Sequence, residues 1–514
     1  MMEATSRENR RMAISAGAVI LAWTLVRAII AARVPLAPDE SNYWQWGRYL
    51  DWGYHDQAPL IGWAIGLFTR IFGDNELAVR LPSIISVSVA SAYVSALAWR
   101  WFSPRAALSA AILTQAILEY QAGGLLATPD GLQAMAWAAC AYHGARAYED
   151  HTWPQWIATG AWFGVGMLAK FTMVVIAPGI LFFGLFSPAF RSRLQSVKPW
   201  LSFLMGCLLF SPVLWWNHRH GWNSARHVAH IGGADEGFGL HLKYFGDFLG
   251  SQAALLTPLV FILVIWALLK AFRGLRDEKR WIESYCFFTS APLFGLFLIL
   301  SFKSRIYGNW PGAAYLTACA LTAGYFGTGS HPRLWKAAIA TAYGLTCLAL
   351  LQTAWPVLPI PAKMDRAATE LSGWKELGEA AGGMAANMPR PGRTFIFGLR
   401  YQEASQLAFY APGRPRTVSI NRWTRPNVYD YWWKDSDLMG FDAVGVTRFP
   451  EDAGALRQVF ERVDRPVQFP VFRKLAGRNP EQIRTLYIYR CYGFLGGLEW
   501  IPKDARDIRA GSTP

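Results

Sequence analysis

Asp39 and Glu40 stand side by side in Pro38-Asp39-Glu40-Ser41-Asn42-Tyr43-Trp44, and Asp51, His55 and Asp56 follow within twenty residues. Tyr43, Trp44, Trp46, Tyr49, Trp52 and Tyr54 are interleaved with them. A carboxylate can take a proton from an attacking hydroxyl, and Tyr and Trp rings favour the depth of lipid headgroups. The pattern therefore points to an acid–base site at a membrane–water interface. The plainer alternative is an aromatic belt with solvated acids.

Further chemistry-bearing residues lie far along the chain. Asp130 opens a helix in Thr128-Pro129-Asp130, where it can serve the helix dipole or cap free amides instead of a reaction. Lys170, in Leu168-Ala169-Lys170-Phe171-Thr172, is either a snorkelling lysine or the partner of an anion. Lys303 and Arg305 precede Asn309-Trp310-Pro311, and a point charge beside a fork of donors suits phosphate. One base with a cationic phosphate clamp is the inventory of a single-displacement, inverting glycosyl transfer from a lipid-linked phosphate. A retaining hydrolase would want two carboxylates flanking one bond, a placement open to Asp39 and Asp130. No cofactor is demanded, although a divalent metal suits the same leaving group. The segment 217–250 carries His218, His220, His227, His230 and His241, and His227 and His230 with Asp235 and Glu236 form a weak metal pattern beside the reading of a solvated loop.

These residues need elements to hold them. The chain is 53% hydrophobic and only 17% charged, with 25 Trp. Apolar runs of ~20 residues can cross a bilayer core, and such runs fall near 13–33, 82–100, 105–122, 129–147, 156–169, 172–188, 200–216, 251–270, 282–302, 311–327 and 335–355. The fifth is short enough to be broken or merged with the sixth. Pro59 to Phe72 reads as an amphipathic helix in the interface. A net charge of +15 would point to nucleic acid in a soluble protein. Here Lys and Arg cluster on alternate loops, as the positive-inside rule requires, so nucleic acid is not expected. Arg7, Arg10 and Arg11, Arg100 and Arg105, Arg191, Arg193 and Lys198 fall on the cytoplasmic side. The loops of Asp39, Asp130, Lys170 and Lys303, and everything past 356, then face outward. The six cysteines form no framework or zinc pattern.

Pro356, Pro359 and Pro361 mark a linker, after which strand-like and helix-like stretches alternate. Helices are expected at 373–386, 401–410 and 451–461, and strands at 393–397, 417–420, 441–447 and 484–490. The expected organisation is a transmembrane region, 1–355, and a small extracytoplasmic α/β domain, 356–514, that bears no chemistry of its own.

Several of these motifs together resemble a known family. Pro38-Asp39-Glu40, Tyr54-His55-Asp56-Gln57-Ala58-Pro59-Leu60, Thr128-Pro129-Asp130, Leu168-Ala169-Lys170-Phe171-Thr172 and Asn309-Trp310-Pro311 look like the bacterial branch of the protein O-mannosyltransferase and aminoarabinose (lipid A) transferase family. Gly373-Trp374-Lys375-Glu376-Leu377 and the stretch Tyr401 to Tyr410 extend the likeness into the tail. The resemblance implies a GT-C type fold of about 11 membrane helices and a polyprenyl-phosphate-linked sugar donor. It also implies a lipid or glycan acceptor, such as lipid A or lipopolysaccharide core, at the outer face of the cell inner membrane. Asp39, Glu40 and Asp130 match the catalytic acids, and Lys170, Lys303 and Arg305 match positions near the donor phosphate. His55, Asp56, Gln57 and Asn309 are the remaining substrate-binding candidates. The chain has Asp56-Gln57-Ala58 where aminoarabinose transferases tend to carry acid-lysine-proline, which weakens the transfer of their sugar specificity. The soluble domain of eukaryotic members is absent, so a protein acceptor is the less favoured alternative. A flippase of lipid-linked sugars is the rival class; such proteins more often show paired repeats and polar groups at mid-membrane.

Overall fold

The computed structural model describes residues 2–498 except 233–238, 330, 363, 474–476 and 478. Asp235 and Glu236 thus lie outside the described residues. The chain forms two compact units, one of residues 1–32 and 50–350 and one of 33–49 and 351–514.

The first unit is helical. A helix occupies each of the eleven apolar stretches read from the sequence. Among the described residues five helices are long and apolar enough to cross a membrane: Ser6–Ala31, Glu76–Trp101, Val197–Arg219, Glu278–Leu300 and Pro332–Ala354. The number rises to seven if each of two sharply bent pairs is one span. The expected count of eleven is therefore not reached on length and composition. Broken helices are the reason. The stretch 105–122 divides into Pro104–Ala116 and Leu118–Leu125 at Ile117, whose backbone is extended. Carbonyls freed at such a break must find donors in an apolar medium. Gln121 Nε2 donates to the Gln115 carbonyl at 2.7 Å and Thr346 Oγ1 to that of Ala116 at 2.8 Å. Arg27, wholly buried, donates in turn to the side chains of Gln115 and Gln121. The expected break between the fifth and sixth stretches is also present. Trp153–Ala169 ends at Lys170, extended, and a 3₁₀ turn, Phe171–Val175, leads into Ile176–Phe186.

Leu60–Phe72 is a helix with Leu67, Ile71 and Phe72 exposed, the apolar face expected of an interfacial segment. Helices Trp153–Ala169 and Val197–Arg219 touch backbone to backbone. A Cβ on Gly160 would collide with the Ser202 carbonyl, and one on Gly164 would lie 2.7 Å from Leu209 Cβ. Small residues four apart permit such a crossing.

The second unit holds a six-stranded sheet of β1 (Thr394–Gly398), β2 (Thr417–Ser419), β3 (Asp442–Thr447), β4 (Phe460–Val463), β5 (Val467–Arg473) and β6 (Glu481–Phe494). The order is β2-β1-β3-β6-β4, with β5 also on β6. β1 pairs in parallel with β2 and β3, and the pairs made by β6 are antiparallel. Helices Trp374–Ala386 and Tyr401–Tyr410 lie where expected. The helix expected over 451–461 is only Asp452–Leu456, and its end becomes β4. β5 was not expected because Pro470 argues against a strand interior; it sits exposed in this one. Residues 33–49 also belong to this unit rather than to the helical one.

Gly160→Leu should cost about 1–3 kcal/mol or more by overpacking the crossing, read as a lowered unfolding midpoint of the detergent-solubilised chain. An unchanged midpoint would mean that the two helices do not cross as described.

Candidate active site

The first unit gathers Asp130, Lys170 and Asn309. Pro129–Asp150 begins after Thr128, so Asp130 stands in its first turn. Lys170 is 7% exposed, and its ammonium donates to Asp130 Oδ1 at 2.7 Å. Asn309 Nδ2 donates to the same oxygen at 3.2 Å. Among the described residues Asp130 has no other side-chain bond, so its carboxylate serves this pair rather than a cap. The helix break explains the reach of Lys170: an extended residue there lets the side chain turn across to the neighbouring helix start. Gln133 Nε2 donates to Thr172 Oγ1 at 2.8 Å on the same seam. Glu119, buried on the short helix after Ile117, lines a small polar recess with Asp130, Gln133 and Asn309. Reading 105–122 as one uninterrupted span hid Glu119. An acid inside an apolar run is the signal that could have found it. Lys303 is half-buried and Arg305 exposed, and among the described residues neither forms an ion pair.

A second cluster in this unit joins His55, Asp56 and His227. His227 Nε2 lies 3.2 Å from Asp56 Oδ1, and the two imidazole rings are 4.9 Å apart. Ligand atoms of all three fall within 4.8 Å of one another. The loop 50–57 is seated on the end of Val197–Arg219: Trp216 Nε1 donates to Asp51 Oδ2 at 2.8 Å, and the Trp216 ring leaves no room for a Cβ on Gly53. Gly221 and Trp222, at φ 62° and 60°, turn the chain so that the helix Asn223–Ile231 brings His227 back. His230, the expected companion, is exposed. Two imidazoles and a carboxylate are a donor set for zinc or a similar divalent ion. Gln57 is half-buried beside them.

Asp39 and Glu40 belong to the second unit. Pro38–Arg48 is a helix, with both acids in its first turn. Glu40 is 1% exposed and accepts from the Ala37 amide at 2.8 Å, so it ties down the helix start. Asp39 Oδ1 accepts from the Tyr401 hydroxyl at 3.0 Å. The rest of this helix is fastened to Tyr401–Tyr410. Gln406 Nε2 donates to the Leu36 carbonyl, the Leu36 amide donates to Tyr410, and the ring of Trp44 meets Phe409 edge-on. Tyr401 thus meets a candidate acid, a contact not expected from the sequence, which showed no chemistry in the tail.

Residues 56–216 match the sequence profile of the dolichyl-phosphate-mannose-protein mannosyltransferase family. Over 320 residues the chain is 25% identical to a lipid A galacturonosyltransferase, RgtD, of Rhizobium johnstonii. That alignment takes in 59% of this chain and 63% of the relative's length. The fold matches ArnT from Cupriavidus metallidurans with TM-score 0.62 at 16% identity, over 92% of this chain and 97% of that one. The same protein bound to undecaprenyl phosphate gives 0.61 at 15% identity, with the same coverage. The archaeal oligosaccharyltransferase AglB of Archaeoglobus fulgidus gives 0.52 at 14%, over 83% and 69%. The fold is thus shared with ArnT, and its apolar helices make the chain a multi-pass membrane protein. The profile match over 56–216 and the shared fold agree with the likeness to the protein O-mannosyltransferase and aminoarabinose transferase family that the motifs carry.

Two outcomes follow from the clusters. Lys170→Met, which strands a buried carboxylate, should lose about 3 kcal/mol or more of stability, and Lys170→Met with Asp130→Leu should lose less. Unfolding midpoints of equal depression in the single and double variants would show the pair to be uncoupled. Zinc added to metal-stripped protein should raise the unfolding midpoint, and His227→Ala should remove that rise; an equal rise in both proteins would place the ion elsewhere.

Proposed function

We propose that the chain is an inverting glycosyltransferase. In this reading it moves a sugar from a polyprenyl-phosphate donor to lipid A, lipopolysaccharide core or a similar envelope acceptor at the outer face of the cell inner membrane, with residues 356–514 in the periplasm. The observation that carries the reading is the buried Lys170 paired with Asp130 and joined by Asn309 at a small recess, within a fold shared with a protein that binds undecaprenyl phosphate. The named activity of the Rhizobium relative supports a lipid acceptor.

Asp39 is the proposed base. It takes the proton of the acceptor hydroxyl as that oxygen bonds to the anomeric carbon, while the bond from that carbon to the phosphate oxygen breaks. Tyr401, donating to Asp39 Oδ1, orients that carboxylate. The leaving phosphate needs compensating charge more than a proton. Lys170 already shares its charge with Asp130, so it positions that carboxylate and Asn309. Lys303 and Arg305 are the cations left to meet the phosphate. Glu40 holds the helix start, and His55, Asp56 and Gln57 flank the donor side.

Asp39→Asn should fold and insert normally yet lower turnover about 10²–10⁴-fold, the usual cost of a lost general base; Glu40→Gln should do less. The assay is transfer in proteoliposomes from a polyprenyl-phosphate sugar, with the acceptor identified by mass spectrometry of lipid A, core and glycoproteins from a deletion strain. Turnover of Asp39→Asn within about threefold of wild type would move the base elsewhere. Translocation of the lipid-linked sugar without any transfer would favour a flippase.

A further inference from the structure

At the opposite, basic end of the helical unit lies a cavity of about 300 Å³, remote in sequence from the Asp130 recess at most of its walls. Its walls come from helices Pro129–Asp150, Trp153–Ala169, Ile176–Phe186 and Val197–Arg219 and the turn at Leu194. The hydroxyl and thiol groups of its lining all spend their donors on backbone carbonyls. Tyr148 donates to Ile180, Thr159 to Gln155, Ser202 to Trp156 and Cys140 to Thr159. Nothing in the wall is left to recognise a polar ligand, so the cavity suits a hydrocarbon chain. It opens between Val174, Trp200 and Phe203, each about half exposed.

The rim is different. Leu194 and Pro199 of the wall are flanked in sequence by Arg193 and Lys198. Arg193 Nε is buried and has no hydrogen-bond partner among the described residues. The Lys198 ammonium donates to the His151 carbonyl at 2.7 Å and lies over the Trp153 ring. His151 accepts from Trp156 Nε1 on its Nδ1, and burial, with these two cations, lowers its pKa from the ordinary histidine value. Trp153 and Trp200, both exposed, mark headgroup depth. Cations without carboxylate partners at that depth, beside an apolar slot open to the flank, complement one kind of molecule.

We propose that this cavity binds an anionic phospholipid of the inner leaflet, with one acyl chain between the helices and the phosphodiester on Arg193 and Lys198. The proposal does not depend on the transfer reaction. The test is native mass spectrometry of the delipidated full-length chain, titrated with a phosphatidylglycerol or with a phosphatidylcholine of the same acyl chains. The expected result is a lipid retained from the first titration at concentrations where the second leaves none. Arg193→Gln with Lys198→Gln should weaken retention about tenfold or more. Ala177→Phe, which fills the slot and leaves the rim intact, should abolish it, with circular dichroism checking the fold. The charge variant decides alone if the filled variant does not fold. Equal retention of both lipids, or phosphatidylglycerol retained undiminished by the rim variant, would overturn the proposal. So would displacement of the lipid by millimolar inorganic phosphate, which would mark a site for free anions.

Discussion

The ion pair between Lys170 and Asp130 is the interaction on which the helical unit's polar recess depends. Both side chains are largely removed from water, at 9% and 18% exposure. A charge so placed is tolerated only with a partner and further hydrogen bonds. Asn309 supplies one such bond from a third part of the chain. The pair therefore fixes three segments, the start of one helix, the break in another and the loop before a third. It also offsets the Lys170 charge with that of Asp130. In the proposed reaction that pairing leaves the compensation of a phosphate to Lys303 and Arg305.

Much of this was legible because the signals were local. Apolar run length placed a helix at every predicted stretch, and Asp39, Asp130 and Lys170 stood out as ionisable groups at the ends of apolar runs. What was not legible was whatever depended on distant partners. Nothing near Ile117 announces a break, since the donors that make it tolerable are Gln121 and Thr346, the second on a remote helix. His227 was visible as a ligand, but its neighbours Asp56 and His55 are supplied by the turn at Gly221 and Trp222 rather than by spacing along the chain. The tail seemed to lack chemistry because Tyr401 is ordinary in sequence and acquires a role only by meeting Asp39.

The cavity at the basic end and the recess at Asp130 show two answers to one constraint. In the recess, polar groups are mutually satisfied around charge. In the cavity, the wall hydroxyls and the thiol are satisfied by backbone, and what remains is chiefly hydrocarbon. Buried polar atoms thus set the character of each site, charged in the first and apolar in the second.

The seating of Pro38–Arg48 on Tyr401–Tyr410 has a consequence for how the molecule is made. The contact between Asp39 and Tyr401 spans 362 residues. A ribosome adding about 5–20 residues per second needs on the order of half a minute to supply the second partner after the first has emerged. Through that interval the helix bearing the proposed base has no sheet unit to rest on. The acids reach their final setting only when synthesis is nearly complete, so an interrupted chain can insert its early helices and still hold no ordered Asp39.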